Sequence, residues 1–405
     1  MALLKSSCGR MGTALRYLNS RSYAMQAKLE SNIKKSVYIS QSTDIYTNLA
    51  LEEWLYKNFD FHNNHILLLW QNSPSVVIGR QQNPWLETNF SDLRNLLETG
   101  VTLARRSSKG SASYNDKGSL SLSFFAPSET LNAKHNSEVV ARSIFREFGS
   151  LVSVGSEDEL YLRQNKQMSN KSARVGKENS YHNMSLMVRT DKVSRDMVFQ
   201  ENNVNQKECF QVSANVKNPE VPTSTPKMMN LCEENPEVTV SSLIRAIGWE
   251  FLRTKALTFK DGGMEFANHQ KGFHLINPTE NWFPGLKEIR DAYKSWDWCY
   301  GKTPKFDITR SFTVPGVLLH NNSGASGSLN VTMSVENGMI SDITIYVPYE
   351  FNSFGFTGEA KVIHSLKGMQ FSVQAIRDLE ESFYSLLDDK DRFVTECVRQ
   401  VMTCA

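Results

Sequence analysis

The clearest pattern of hydrophobic and polar positions lies in residues 103–125. A short apolar run at 101–104 predicts a strand, and two arginines, Arg105 and Arg106, follow it directly. Beyond a polar turn, apolar positions alternate with serines from 120 to 124, which is the period of a strand with one buried face. The stretch therefore predicts two strands joined by a cationic turn.

The remaining chain shows the same two kinds of pattern. Apolar or alternating runs predict strands at 37–40, 66–70, 76–78, 160–162, 184–188, 306–312, 328–335 and 339–346. Helical spacing of apolar positions predicts helices at 44–59, 91–97, 136–148, 240–257, 286–296 and 373–387. Asn337-Gly338, between the last two strands, is a strong hairpin signal.

Two stretches interrupt this pattern and suggest how the chain is divided. Residues 192–230 are polar, poorly patterned and contain three prolines, which predicts a long excursion over the surface. An aromatic stretch at 296–304 precedes a series of alternating strands and is interpreted as a domain boundary. We therefore expect an α/β protein of the α+β type, with a large mixed-sheet domain at 37–293 and a small C-terminal α/β domain at 294–405.

Composition narrows the class of protein. The 405 residues are 40% hydrophobic and 22% charged, which suits a soluble globular protein of two or three domains. A net charge of +2 gives no electrostatic reason to expect nucleic acid or a membrane surface as a partner. The six cysteines lack metal-site spacing, so reduced thiols are expected rather than disulfides, and no metal site is expected.

The N-terminal segment has the composition of a targeting sequence. The first 29 residues carry five basic residues and no acidic one, which is typical of an organelle transit peptide. The sequence Arg21-Ser-Tyr-Ala24 resembles a mitochondrial processing site. We predict a mitochondrial transit peptide at 1–30, and a disordered basic tail is the alternative.

Three long motifs follow one another along the chain. They run from Trp70 to Trp85, from Arg105 to Phe124 and from His274 to Phe306. Together they resemble the mitochondrial lipoyltransferases, which are relatives of lipoate–protein ligase. The resemblance covers residues 37–312 and implies that the large domain has a biotin/lipoate ligase-like fold.

The resemblance also implies an activity. Such an enzyme transfers a lipoyl group, from lipoyl-AMP or a lipoyl-carrier protein, to an acceptor lysine. The acceptors are lipoyl domains of 2-oxo acid dehydrogenase acyltransferase subunits and the glycine-cleavage H protein. We accordingly expect a monomer in the mitochondrial matrix, with no tightly bound cofactor and with lipoyl-AMP or the lipoyl group as substrate.

An acyl-adenylate sets clear requirements for its site. Hydrogen-bond donors and a cation must reach its oxygens, and small residues allow the backbone to come close to its phosphate. The resemblance assigns this role to Arg80, Arg105, Arg106, Ser108, Gly110, Ser111, Ala112, Ser113, Tyr114, Asp116, Glu157, Ser169 and Ser185. The alternative for the paired arginines is an ordinary basic turn on the surface.

The predicted site departs from the family pattern at several positions. The family's triple glycine is Lys109-Gly110-Ser111 here, and its histidine before the aspartate is Asn115. The family lysine that contacts the acyl-adenylate falls on Gln167, unless a one-residue slip brings Lys166 to that place. Loss of a charged donor there weakens binding by roughly 1.5–3 kcal/mol. Glu157, where the family has a basic residue, adds repulsion towards a phosphate.

Two hypotheses follow for the function of the chain. Either it is an active lipoyltransferase with a divergent site, or it is a degenerate member that keeps the fold and binds lipoyl domains without transfer. Lys109 and Lys171 either return a cation to the phosphate or are solvated surface lysines. His182 is either packed in a strand or has a direct role in the reaction. A nucleic-acid or biotin-binding module is disfavoured, because the chain lacks a basic stripe and a biotin-ligase glycine signature.

Overall fold

The computed structural model describes most of the chain. It covers residues 30, 32–88, 96–199, 210–212, 227–319, 327–348, 351, 365–372, 375 and 388–403. The predicted transit peptide and the predicted helices at 91–97 and 373–387 lie wholly or mostly outside the described residues.

The described residues form both strands and helices. The strands are β1 (Lys34–Ser40), β2 (Asn64–Trp70), β3 (Ser75–Ile78), β4 (Thr102–Arg105), β5 (Lys109–Gly110), β6 (Ser113–Asn115), β7 (Ser119–Pro127), β8 (Ser153–Val154), β9 (Leu160–Leu162), β10 (Lys166–Gln167), β11 (Ser169–Val175), β12 (Asn179–Met187), β13 (Phe210–Val212), β14 (Gly272–Ile276), β15 (Phe306–Val314), β16 (Gly327–Glu336) and β17 (Met339–Tyr346). The helices are α1 (Ile45–Asn58), α2 (Pro84–Glu87), α3 (Ala133–Phe148), α4 (Lys192–Phe199), α5 (Leu231–Glu234), α6 (Val240–Arg253), α7 (Gly263–Asn268), α8 (Leu286–Lys294), α9 (Trp296–Cys299) and α10 (Asp389–Thr403).

Two helices differ from the sequence-based expectations. The excursion predicted to begin at 192 starts instead with α4, in which Val198 is fully buried. The helix α10 was not predicted, although its buried positions Cys397, Val398, Val401 and Met402 have helical spacing. In both cases a short apolar stripe in a polar segment is sufficient, because tertiary packing stabilises the helix.

Contacts divide the chain into two compact units. Unit 1 comprises residues 1–72, 117–190 and 227–289, and unit 2 comprises 73–116, 191–226 and 290–405. The sequence analysis expected two consecutive domains meeting near 293. In the structure, by contrast, the segment 73–116 with its arginine pair groups with the C-terminal segment.

Unit 1 contains the large mixed sheet. Its strands lie in the order β14-β1-β2-β7-β12-β11, parallel from β14 to β2 and antiparallel from β2 to β11. One face packs its apolar side chains, including Val37, Leu67 and Leu122, against residues of α3 and α6. Helix α1 starts at Asp44, whose carboxylate accepts a hydrogen bond from the Thr47 amide at 2.9 Å.

The strand β7 lies at the centre of this sheet. All nine of its residues are buried, so the prediction of a single buried face is wrong. On one face Leu120, Leu122 and Phe124 enter the apolar core. On the other face Ser123 donates a hydrogen bond to Glu52 of α1. Small hydroxyl side chains are thus buried beneath a helix rather than facing solvent.

Unit 2 contains two small sheets. One has the order β4-β3-β6, with β3 parallel to β4 and antiparallel to β6. The other has the order β13-β15-β16-β17 and is antiparallel throughout. Trp85 of α2 packs in one apolar core with strands β15 to β17 and helix α10. Asn337, at φ 53°, and Gly338, at φ 71°, form the predicted hairpin turn between β16 and β17.

Candidate functional site

Arg105 is the most deeply buried of the predicted site residues that carry a charge. Its side chain lies at the end of β4 in unit 2 and is 0% exposed. Seven hydrogen bonds of 2.7–3.2 Å join its guanidinium to protein oxygens. The acceptors are the carbonyl oxygens of Gly79, Arg80, Gln82, Trp298 and Cys299 and the hydroxyl of Thr303.

These contacts change the role expected for Arg105. Every nitrogen of the guanidinium is directed to an oxygen of the protein, so in this structure Arg105 holds two segments together rather than offering donors to a ligand. Burial, opposed by the Cys299 thiol, lowers the pKa of Arg105 to about 10. The side chain therefore remains protonated at neutral pH, with carbonyl dipoles compensating the buried charge.

Arg106 shapes the loop that follows. Its guanidinium donates to the carbonyl oxygens of Val77, at 3.3 Å, and Ser111, at 2.7 Å, and the side chain is 4% exposed. The contact with Ser111 holds the loop tip close to Arg106, the first residue after β4. Lys109, Gly110 and Ser111 at this tip are exposed, whereas Ser108 and Ser113 on either side are buried and Ala112 is half-buried.

Gly79 allows this loop to pack closely. A Cβ atom placed on Gly79 would lie 2.3 Å from the Gly110 carbonyl oxygen and 3.4 Å from the Arg106 guanidinium. A side chain at this position would therefore push the loop tip outwards. This steric requirement explains the glycine of the Ile78-Gly79-Arg80 motif.

We expect Gly79→Ala to destabilise the protein by about 1–3 kcal/mol, because the added methyl group overpacks the loop. Gly316→Ala is the matched control, since a Cβ there would meet no atom within 4 Å. Thermal and urea unfolding of both variants measure the effect. Equal stability of the two variants would contradict the close approach seen at Gly79.

Tyr114 lies on β6, the strand that follows the loop, and Asp116 is the first residue after it. Tyr114 packs in an apolar cluster of unit 2 with Val76, Ile78 and Leu103, and burial is the main cause that raises the pKa of its hydroxyl. Asp116 is 8% exposed and accepts a hydrogen bond from the Asp191 amide at 2.8 Å. Both residues are thus part of the packed interior of unit 2, whereas Arg80 is exposed.

Gln167 and Lys166 occupy the short strand β10 in unit 1. Gln167 is 7% exposed, and its amide nitrogen donates to the Ser169 carbonyl oxygen at 2.6 Å. Its backbone pairs with Tyr161, and Lys166 pairs with Leu162. The side chain of Lys166 is half-buried. Gln167 is thus the more buried of the two residues proposed for the family lysine position.

Lys171 lies on β11 beside two carboxylates. Its amine is 3.3 Å from Glu157 and 3.6 Å from Glu159. Lys171 therefore offsets the negative charge that Glu157 brings to this part of unit 1. Ser169 is fully buried, and its hydroxyl accepts a hydrogen bond from the Leu160 amide. Ser185 is buried in β12, directly opposite Asn170 of β11.

His182 is packed inside the sheet layer of unit 1. It is 1% exposed, and neither ring nitrogen has a hydrogen-bond partner. It pairs with Phe124 on β7 and Ala173 on β11. Burial, aided by the charge of Lys171, lowers the pKa of His182 to about 4. The structure therefore favours the packed alternative for this histidine.

A buried polar network in unit 1 was not found from the sequence. Glu52 of α1 accepts hydrogen bonds from Ser123 and from the amide of Asn183, and Ser172 donates to Asn183. Glu53, the next residue, forms an ion pair with Arg174. The apolar spacing of α1 was the only signal in this segment, and it does not distinguish a buried carboxylate from an exposed one.

Across the described ranges, no group of three or more His, Cys, Asp or Glu side chains is placed to hold a metal ion. In the same residues, no helix has both the length and the apolar character needed to cross a bilayer.

Comparisons with solved structures identify the fold. P. falciparum LipL1, solved in complex with lipoate, aligns over 90% of this chain and 99% of its own at 22% identity, with a TM-score of 0.52. A lipoate-protein ligase A bound with ATP covers 67% of this chain and 99% of its own at 19% identity, with a TM-score of 0.51. The fold is therefore that of the lipoate–protein ligases.

Sequence comparisons identify the family. The model of the lipoyl protein ligase A/B catalytic domain matches residues 44–252, which is more than half of the chain. The mitochondrial lipoyl amidotransferase of Homo sapiens is 31% identical over 325 residues, covering 80% of this chain and 79% of the relative. The chain belongs to the lipoyl protein ligase A/B family, and it is an enzyme of the lipoyltransferase type.

Proposed function

We propose that the chain transfers a lipoyl group from lipoyl-AMP, or from a lipoyl-carrier protein, to an acceptor lysine in the mitochondrial matrix. The acceptors are lipoyl domains of 2-oxo acid dehydrogenase acyltransferase subunits and the glycine-cleavage H protein. The observation that carries the proposal is the match to a mitochondrial lipoyl amidotransferase along most of both chains. An archaeal ligase studied with its E2 lipoyl domain supports this class of partner.

The loop of unit 2 supports binding of a negatively charged donor. Its exposed tip, Lys109 to Ser111, carries two small residues and one cation, and the exposed Arg80 follows Gly79. Arg106 anchors the tip through Ser111, and Arg105 anchors its base. Preorganised donors of this kind would stabilise the charge on the phosphate as AMP leaves.

The reaction exchanges one acyl bond for another. The neutral amine of the acceptor lysine attacks the lipoyl carbonyl carbon and forms a C–N bond, and the C–O bond to the phosphate of AMP breaks. The amine proton passes to a base or to water, and AMP carries away the electron pair. Within this scheme Arg80 and the loop tip contact the phosphate, whereas Arg105, Tyr114 and Asp116 position the loop.

The position of Gln167 provides a direct test of the proposed site. We expect Gln167→Lys to increase the rate of transfer from synthetic lipoyl-AMP to a purified lipoyl domain by about 10-fold or more. A charged donor contributes roughly 1.5–3 kcal/mol to the binding of an anion, and ~1.4 kcal/mol corresponds to tenfold. Gln400→Lys adds the same charge to helix α10 and is the control.

Three results of this assay have distinct meanings. Transfer by the wild-type chain supports the proposed function, and a gain confined to Gln167→Lys supports the assignment of that position. An unchanged rate in Gln167→Lys would reject the assignment of Gln167 without rejecting transfer. A folded wild-type chain that transfers to none of the acceptors would favour the degenerate alternative.

A further inference from the structure

Unit 1 encloses a small cavity that shares no residue with the proposed lipoyl site. Its volume is about 30 Å³, and it lies where β1 and β2 begin and β7 ends. A cavity needs ~10–15 Å³ to hold one water molecule, so this one has room for two or three groups of that size. The polar side chains that line it include Lys35, His65, His135 and Asn136.

Lys35 carries the cationic group of the cavity. Its side chain is 4% exposed, and its amine donates to the carbonyl oxygens of Phe251 at 3.2 Å and Thr254 at 2.5 Å. An ammonium has three donors, so one remains after these two contacts. Burial, partly offset by the charge of Glu30, lowers the pKa of Lys35 to about 7. Glu30 itself accepts hydrogen bonds from the Leu257 and Thr258 amides.

His65 adds a donor without a partner. It is 6% exposed, pairs directly with Lys35 across β1 and β2, and its Nε2 has no hydrogen-bond partner. A buried polar atom of this kind destabilises the protein by about 1–3 kcal/mol unless another group satisfies it. His65 and Lys35 therefore place two donors without complete partners on adjacent strands of the same cavity.

The rest of the wall favours an anion with a small apolar part. Among the described residues that line the cavity there is no carboxylate, and Asn132 and His135 at the N-terminal end of helix α3 belong to its wall. A helix N-terminus carries partial positive charge. Phe124, Phe251 and Phe259 also line the cavity. The Phe259 ring stacks on His135 at 4.0 Å, and the Lys35 amine lies 4.5 Å from the centroid of the Phe251 ring.

We propose that this cavity is a binding site for a small monocarboxylate of one or two carbons. The carboxylate oxygens accept hydrogen bonds from the Lys35 amine and His65 Nε2, and the hydrogen or methyl group contacts the phenylalanines. The charged and titratable groups facing Lys35 are His65, His135, Lys255, Glu30 and Arg142. Binding of the anion favours the ammonium form of Lys35, so it is accompanied by proton uptake above neutral pH.

Sodium acetate and sodium formate are the probes, and sodium chloride at equal ionic strength is the reference. We expect 50 mM acetate to raise the Tm of the wild-type chain by about 2–4 °C over chloride, as mass action predicts for a millimolar Kd. Calorimetric titration at pH 8, in buffers of different ionisation enthalpy, should show uptake of a proton.

Two variants and one control locate the effect. His65→Leu replaces an unpartnered polar side chain by an apolar one, so it should fold, and it should lose the acetate shift. Lys35→Met should lose both the shift and the proton uptake. Lys34→Met, which alters the neighbouring amine that donates to the His269 carbonyl, should retain both. Equal Tm values of the wild-type chain in acetate and in chloride would overturn the proposal. A rise in Tm with acetate that persists in His65→Leu would overturn it as well.

Discussion

Replacing Arg105 by methionine is expected to destabilise unit 2 by about 4 kcal/mol or more. The substitution keeps an apolar stem of similar length but removes seven hydrogen bonds. Five carbonyl oxygens lose this donor, and the contacts to those of Gly79 and Cys299 are buried. Each buried acceptor without a partner destabilises by about 1–3 kcal/mol, and disruption of such a network is among the few causes of very large effects. Arg105→Lys should recover only part of the loss, because an ammonium has three donors and no planar fork.

Hydrogen exchange is the appropriate measurement, because it reports on individual segments. In Arg105→Met, the amides around Gly79 and Thr303 should lose protection together, since Arg105 is the side chain that joins their segments. Arg80→Met is the matched control. Arg80 is exposed, so its replacement should change stability by no more than about 0.5 kcal/mol. Retained protection in Arg105→Met would show that the network contributes little.

Acidification is expected to destabilise unit 1 strongly. Burial lowers the pKa of His65 to about 3 and of His135 and His182 to about 4. Between these values and the ordinary pKa of about 6.5, the unfolded chain binds protons that the folded chain does not. The stability from the three neutral imidazoles is therefore complete above pH 6.5 and is lost progressively below it. From pH 7 to pH 5 the loss is about 2 kcal/mol for each of His65 and His182. It is smaller for His135, because solvent screens that ring in part.

Variants of single histidines separate this effect from general acid denaturation. His182→Leu should flatten the dependence of the free energy of unfolding on pH, and it should be more stable than the wild-type chain at pH 5. His62→Leu is the control, because that side chain is 66% exposed. Urea unfolding at several pH values from 5 to 7 measures both. Parallel pH dependences of His182→Leu and the wild-type chain would contradict a neutral, buried His182.

The sequence predicted β1 and β2 of unit 1, because their apolar runs need no partner to be recognised. It covered only the last part of β12 and missed β14 and the mostly polar β11, where polar residues hide the strand pattern. It did not predict that both faces of β7 are buried. In the sequence, serines at 119, 121 and 123 indicate a face in contact with solvent, but in the structure they are buried, and Ser123 donates to Glu52 of helix α1. The same limit applies to Arg105. A buried arginine and a ligand-binding arginine look alike in sequence, and the distinction depends on carbonyl oxygens 193 residues or more further along the chain.

The site residues inferred from the motifs stay predictions. Motif order pointed to the loop of unit 2 and to Gln167, because these lie in contiguous stretches. The cavity of Lys35, His65 and His135 could not be predicted. Its three residues come from β1, β2 and α3. Lys35 and His65 are neighbours because β1 pairs with β2, and His135 reaches them because its helix starts at Asn132.

The contacts of Arg105 also bear on how the protein is made. The ribosome synthesises Arg105 long before Trp298, Cys299 and Thr303, whose oxygens receive its guanidinium. Until those residues emerge, the guanidinium lacks four of the seven hydrogen bonds that it makes in the folded chain. The loop that follows Arg105 can therefore reach its final form only after most of the polypeptide has been synthesised.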